Sequence, residues 1–161
     1  MKDSLAAGLG EIKISQDPED ILVAYGLGSC VGIGIADPQV HIAGLLHAVL
    51  PSNPNGTEAP NPKYVSSGIE ILLKELIQRG ASPKRFVIRM AGGANMLVAP
   101  GFSNSFNIGT RNVETAYETF KRLGLKLNSH EVGGTTGRTV RFYVRDGKMT
   151  IRTVGNQERE I

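Results

Sequence analysis

The chain has 161 residues, 40% of them hydrophobic and 20% charged, and its 18 basic against 15 acidic side chains give a formal charge of +3. That length suits one domain burying about two thirds of its unfolded surface with no metal or disulfide staple. The charge is too mild, and too free of basic runs with interleaved aromatics, to imply nucleic acid, and no apolar run approaches the roughly 18 residues of a spanning helix. One cysteine forms no internal disulfide; with no signal-peptide pattern, the expected setting is a reducing cytoplasm.

In chain order, Gly10 to Ser15 alternates as a short first strand and Asp17-Pro18 turns it. Ile21 to Tyr25 is a second, more apolar strand leading into the glycine turn Gly26-Leu-Gly-Ser-Cys30. The strand of Cys30 runs to Asp37-Pro38, and Val40 to Leu50, apolar on both faces apart from His41 and His47, reads as buried on both sides. Pro51 to Lys63 is a proline-rich loop long enough to shape a site. A helix follows from Tyr64 to Arg79, with Val65, Ile69, Leu72, Leu73, Leu76 and Ile77 at helical spacing and Gly80 as its stop. Phe86 to Met90 is a strand opening into Ala91 to Asn95 and then a glycine-rich segment as far as Ile108-Gly109.

The second helix spans about Asn112 to Leu123, with Val113, Ala116, Tyr117 and Phe120 on one face and Gly124 ending it. Leu125 to His130 alternates as a half-buried strand that closes at Gly133-Gly134. Thr139 to Val144 and Met149 to Val154 flank Asp146-Gly147 as a hairpin, and Asn156 to Ile161 reads as a frayed end. With no repeat and no linker, the expected architecture is a single α/β domain over residues 1–161, a strand-rich mixed core flanked by helices.

The chemistry concentrates around Cys30. Beyond the glycine turn, Val31, Ile33 and Ile35 alternate with Gly32, Gly34 and Ala36, so Cys30 shares the bare face of its strand, where a second backbone or a substrate is expected to come close. Gly26 and Gly28 allow a sharp turn with amide N–H groups aimed at the sulfur. From the residues alone Cys30 is either a nucleophile or a small packed hydrophobe. A nucleophile needs a base beside it, since an ordinary thiol is only a few per cent ionised at neutral pH. His130 shares a face with Lys126 and Asn128, and His41 sits by the Asp37-Pro38 turn; both read as exposed. His47 has no ionisable neighbour in Ala43 to Pro51, and antiparallel pairing through Asp37-Pro38, with facing residues summing to about 77, brings it to the end of the hairpin that carries Cys30. It is either that base or a core histidine satisfied by a backbone carbonyl.

Four motifs, Gly26-Leu-Gly-Ser-Cys30-Val, His47-Ala-Val-Leu-Pro51, Ala91-Gly-Gly-Ala-Asn95-Met and Asn107-Ile-Gly-Thr-Arg-Asn112-Val, closely resemble the CheD family of chemoreceptor glutamine deamidases. The resemblance covers about residues 8 to 156. It implies an α/β fold related to the deamidase domain of the cytotoxic necrotizing factor toxins, with Cys30 matching the catalytic cysteine and His47 the catalytic histidine. Family members often carry a threonine six residues before the cysteine as the third member of the triad. This chain has Ala24 there, and a backbone carbonyl at or near Ala24 is expected to orient the imidazole instead. The implied reaction hydrolyses a glutamine side-chain amide to glutamate and ammonia with no metal or organic cofactor, the oxyanion being held by the backbone N–H of Ser29 or Cys30.

The partners implied are methyl-accepting chemotaxis receptors, met in the cytoplasm at membrane-bound receptor arrays, and a CheC-type response-regulator phosphatase; no nucleic acid and no membrane insertion are expected. An alternative role is a regulatory binding module for that phosphatase. An accessible, low-pKa Cys30 favours the enzyme; a buried one remote from His47 favours binding alone. The cysteine turn, the Pro51 to Lys63 loop and Ala91 to Asn95 form the expected docking rim.

Overall fold

The computed structural model describes residues 2–53, 56, 58–95 and 107–161. Its strands are β1 (Lys2–Ala6), β2 (Ile12–Ser15), β3 (Asp20–Leu27), β4 (Val31–Asp37), β5 (Ile42–Ala48), β6 (Val87–Gly92), β7 (Ser129–Val132), β8 (Arg138–Tyr143), β9 (Met149–Thr153) and β10 (Arg159–Glu160); its helices are α1 (Val65–Gln78) and α2 (Ile108–Leu123). The strands form two sheets, one in the order β1-β3-β8-β9-β10, the other β2-β5-β4-β6-β7. Each contains one parallel pair, β1 with β3 and β6 with β7, among antiparallel ones, so both sheets are mixed.

Alternation along β4 and β5 divides the core in two. Val31, Ile33 and Ile35 of β4, with Ile42, Leu46 and Ala48 of β5, pack under Ile69, Leu72 and Leu76 of α1 and Val113, Ala116 and Phe120 of α2. The opposite faces, including Ala36, Ala43 and Leu45, meet Leu22, Ala24, Leu27, Val140, Phe142 and Ile151 of the other sheet. The layers therefore run sheet, sheet, helices, and β4 and β5 are buried on both faces.

The bare face of β4 is explained by the second sheet rather than by a substrate. A Cβ on Gly34 would lie 2.6 Å from the Phe142 ring, and one on Gly32 3.0 Å from Leu27 Cδ1. These glycines make room for large side chains across the sandwich, which close packing rewards.

Other differences from the sequence reading have local causes. β1 is an additional strand: its Lys-Asp-Ser-Leu-Ala sequence has no apolar alternation, and it is held by parallel pairing to β3. Leu125 and Leu127 pack against the helix-side core, so their alternation marks a covered connector; ladder pairing begins only at Ser129. α2 starts at Ile108, ahead of the predicted Asn112. The C-terminus is paired, not frayed: β10 joins β9, and Ile161 N–H donates to Met149 O at 3.0 Å. The β8–β9 hairpin forms as expected, with Gly147 N–H bonded to Tyr143 O at 2.8 Å. Much of the glycine-rich segment and part of the Pro51 to Lys63 loop lie outside the described residues.

Candidate active site

β3 and β4 belong to different sheets, so the chain must cross the sandwich between them, and Gly28, Ser29 and Cys30 make that crossing. The β3–β8 register shifts between Ala24 and Leu27, where Gly26 takes φ 60°, and buried Leu27 then resumes pairing opposite Arg138. Cys30 is half-buried, immediately ahead of β4, and packs against the inter-sheet core.

The turn is gripped from behind by its carbonyls. Ala94 N–H donates to Gly28 O at 2.9 Å, Asn112 Nδ2 to Ser29 O at 2.9 Å and Gly93 N–H to Cys30 O at 2.8 Å. Gly92 and Gly93 have φ of 110° and 67°, conformations that L side chains rarely adopt, and a Cβ on Gly92 would collide with Cys30 O. The close approach that these glycines allow is thus to the protein's own cysteine turn. Gly92, Gly93 and Ala94 are buried there, so Ala91 to Ala94 forms the floor of the turn and not an exposed docking rim.

His47 lies opposite Gly32 in the β4–β5 ladder. Paired residues sum to 79 rather than 77, as Val31 with Ala48 and Gly32 with His47 show, because the turn after Asp37 is longer than a minimal one. The correction preserves the parity: His47 faces the inter-sheet layer on the same side as Cys30, at the same end of the hairpin. The residue is 4% exposed, and Nδ1 lies 2.9 Å from the carbonyl of Ala7. A carbonyl only accepts, so Nδ1 carries the hydrogen in this contact, and an uncharged ring held this way has its lone pair on Nε2. Nε2 is buried with no hydrogen-bond partner among the described residues, Cys30 Sγ included.

The carbonyl that holds this imidazole is therefore Ala7's, not Ala24's. Ala24 is fully buried in β3 opposite Val140, whereas Ala7 directly follows β1, its own N–H bonded to Val23 O at 2.8 Å. The 7–11 segment also clasps the His47 backbone: Gly10 N–H donates to His47 O at 2.9 Å and His47 N–H to Glu11 O at 3.0 Å.

Burial pushes the Cys30 thiol up from its ordinary value, opposed by a smaller lowering from its own backbone N–H. The site thus combines a half-buried thiol raised by burial with a histidine on the same face and at the same end of the hairpin, a case between the two the sequence left open. His130 is exposed as expected, with Nδ1 2.8 Å from Tyr117 Oη. His41 is half-buried, in a left-handed conformation at φ 54°, with Nδ1 buried and unpaired among the described residues. Two site residues escaped the sequence reading. Ala7 acts through its backbone and leaves no side-chain signal. Asn112 left one: it is a polar residue one position before Val113 and four before Ala116 on the buried stripe of α2.

The site therefore holds a thiol at a tight turn whose carbonyls are bound from behind, and an imidazole with Nδ1 tethered and Nε2 without a hydrogen-bond partner among the described residues. The family model described as CheD chemotactic sensory transduction matches residues 49–153. A protein of Symbiobacterium thermophilum named probable chemoreceptor glutamine deamidase CheD is 40% identical over 158 residues, covering 97% of this chain and 96% of its own. Proteins of the same name from Caldanaerobacter subterraneus subsp. tengcongensis and Thermococcus kodakarensis are 41% and 39% identical, covering 94% and 92% of both chains respectively. The chain belongs to the CheD family. Its model match begins just after His47, and the full-length relatives extend the likeness across the cysteine turn. Among the described residues, no helix is long and apolar enough to cross a membrane.

Proposed function

We propose that this chain is a chemoreceptor glutamine deamidase in which Cys30 is the nucleophile and His47 the acid–base partner. The observation that carries the reading is the state of His47: Nδ1 bound to Ala7 O and Nε2 buried and open, on the strand that pairs beside the cysteine turn. The names of the relatives supply the substrate class.

In the mechanism, His47 Nε2 takes the thiol proton as Sγ attacks the glutamine Cδ, and the carbonyl electrons move to an oxyanion facing the N–H groups of Ser29 and Cys30. Collapse of the tetrahedral species breaks the C–N bond, and the proton on Nε2 goes to the leaving ammonia. Water, deprotonated by Nε2, then attacks the thioester; the C–S bond breaks, the proton returns to sulfur, and glutamate is released. The Ala7 carbonyl fixes the tautomer and stabilises the imidazolium formed in each step. A backbone acceptor here does the work of the threonine hydroxyl absent at Ala24. The same proposal relates the fold to the deamidase domain of cytotoxic necrotizing factor toxins and sets the protein in the cytoplasm, at receptor arrays.

Ammonia release from a receptor cytoplasmic fragment tests it. Cys30→Ser and His47→Ala are each expected to reduce the rate at least about 100-fold while leaving the circular dichroism spectrum unchanged. Undiminished release by Cys30→Ser would sink the mechanism. The raised thiol favours a second reading, a regulatory binding module for a CheC-type phosphatase. That reading expects wild-type protein to release no ammonia and still to bind the phosphatase.

A further inference from the structure

The β4–β5 ladder ends at Val31 and Ala48. Beyond it the two strands lead to Ser29–Cys30 on one side and Val49 on the other, with no ladder bond to hold them together. A side chain from α2 takes over. Asn112 is fully buried, and its Nδ2 lies 2.9 Å from Ser29 O and 3.0 Å from Val49 O. Two facing carbonyls need two donors at one point, which a primary amide nitrogen supplies; a carboxylate supplies none and a hydroxyl only one. The same geometry sets the amide's orientation, for a reversed Asn112 would put its oxygen against two acceptors. Its Oδ1 is consequently buried with no partner among the described residues, an uncompensated polar group that packing alone does not account for.

The grip on Ser29 O has a consequence at the reaction centre. The Ser29 carbonyl and the Cys30 N–H share one planar trans peptide unit, so they point in opposite directions. Holding the oxygen toward α2 turns the Cys30 N–H away from it, toward the sulfur, where that N–H acts on the thiol. The Gly28 carbonyl, held by Ala94 N–H, fixes the Ser29 N–H in the same way. These are the two donors that the proposed reaction assigns to the oxyanion.

We propose that Asn112 is a positioning residue of the oxyanion site: it locks the Ser29–Cys30 peptide plane and ties the cysteine turn to the end of the histidine strand. The inference rests on the amide-hydrolase reading. It requires that loss of the amide harm the step in which an oxyanion develops and spare a reaction of the same sulfur that forms none.

Asn112→Ala and the near-isosteric Asn112→Asp are compared with wild type in two assays, glutamine deamidation of a receptor fragment and alkylation of Cys30 by iodoacetamide at high pH, where the thiol is fully ionised. The expected result is a fall in kcat of about 30-fold or more, with KM within about threefold and the alkylation plateau within about threefold. Asn112→Gln, which keeps the donors on a longer arm, should recover part of kcat. Wild-type kcat in Asn112→Ala, or equal losses in kcat and alkylation, would overturn the role; a wild-type protein with no deamidase activity would instead defeat the parent reading. Should the variants not fold, ¹⁵N,¹³C-labelled wild-type protein decides. Scalar couplings across hydrogen bonds from Asn112 Nδ2 to the Ser29 and Val49 carbonyls support the bridge, and their absence with both resonances assigned overturns it.

Discussion

At the residue scale, the thiol and imidazole have separate physical controls. Burial raises the Cys30 thiol above its ordinary value, which favours the protonated form of the sulfur in the free protein. Iodoacetamide alkylation of Cys30 should therefore rise with pH through a midpoint above that of an unstructured cysteine peptide. A midpoint well below the peptide's would mean that a preformed thiolate–imidazolium pair governs the site. The same shift has a stability consequence. Because the folded pKa is raised above the unfolded one, its contribution is present below the unfolded pKa and is lost as pH rises through the folded value. Cys30 and His47 stood out in the sequence because the proposed chemistry restricts those roles to particular side chains. Ala7 was not, since any residue provides a carbonyl, and only the path of β1 along β3 brings that one to His47.

Among the elements, the β4–β5 hairpin brings histidine and cysteine to one end and is pinned at its other end by Asp37. That side chain is fully buried; it accepts from Arg85 Nε and Nη2 at 3.0 and 2.8 Å and from the Ser82 N–H at 2.8 Å. Burial pushes its carboxyl up, but the Arg85 hydrogen bonds, the Ser82 and Gln39 amides and the Arg85 charge outweigh burial and hold it below its ordinary value. A depressed folded pKa gives stability that is present above the unfolded value near about 3.9 and is lost as pH falls through the folded one. Asp37→Asn should cost about 1–3 kcal/mol at pH 7 in urea unfolding, with the gap from wild type narrowing below about pH 3. An equal gap at both pH values would contradict this account of the turn. The hairpin itself was visible as two apolar runs about Asp37-Pro38. Its register was not, because the composition of the turn does not fix its length, and the count of 79 appears only when the ladder is observed.

For the whole molecule, the sandwich places Cys30 where the chain passes between sheets, and α2 and the Gly92-Gly93 turn brace it from behind. Ala91 to Ala94 is occupied as that floor, which leaves the cysteine turn, the 7–11 segment with its 72% exposed Leu9, and the neighbouring Lys63 end of the loop as the accessible rim. The two-sheet order was not legible: adjacent strands in sequence, β3 and β4, lie in different sheets, and periodicity says nothing about which strands pair. If a receptor helix and a CheC-type phosphatase both use this rim, they compete, and linkage requires each to displace the other. A titration of labelled phosphatase with receptor fragment against Cys30→Ser protein should show mutual displacement. Unchanged affinities with both bound would refute a shared surface.

The central claim, that Cys30 carries the acyl group of a receptor glutamine, is tested most directly by mass spectrometry of an acid-quenched reaction. The account predicts receptor peptides about one dalton heavier at each converted glutamine, together with a transient receptor adduct on the Cys30 peptide that has lost ammonia, and neither in Cys30→Ser. Conversion of glutamine to glutamate by the Cys30→Ser protein would contradict it.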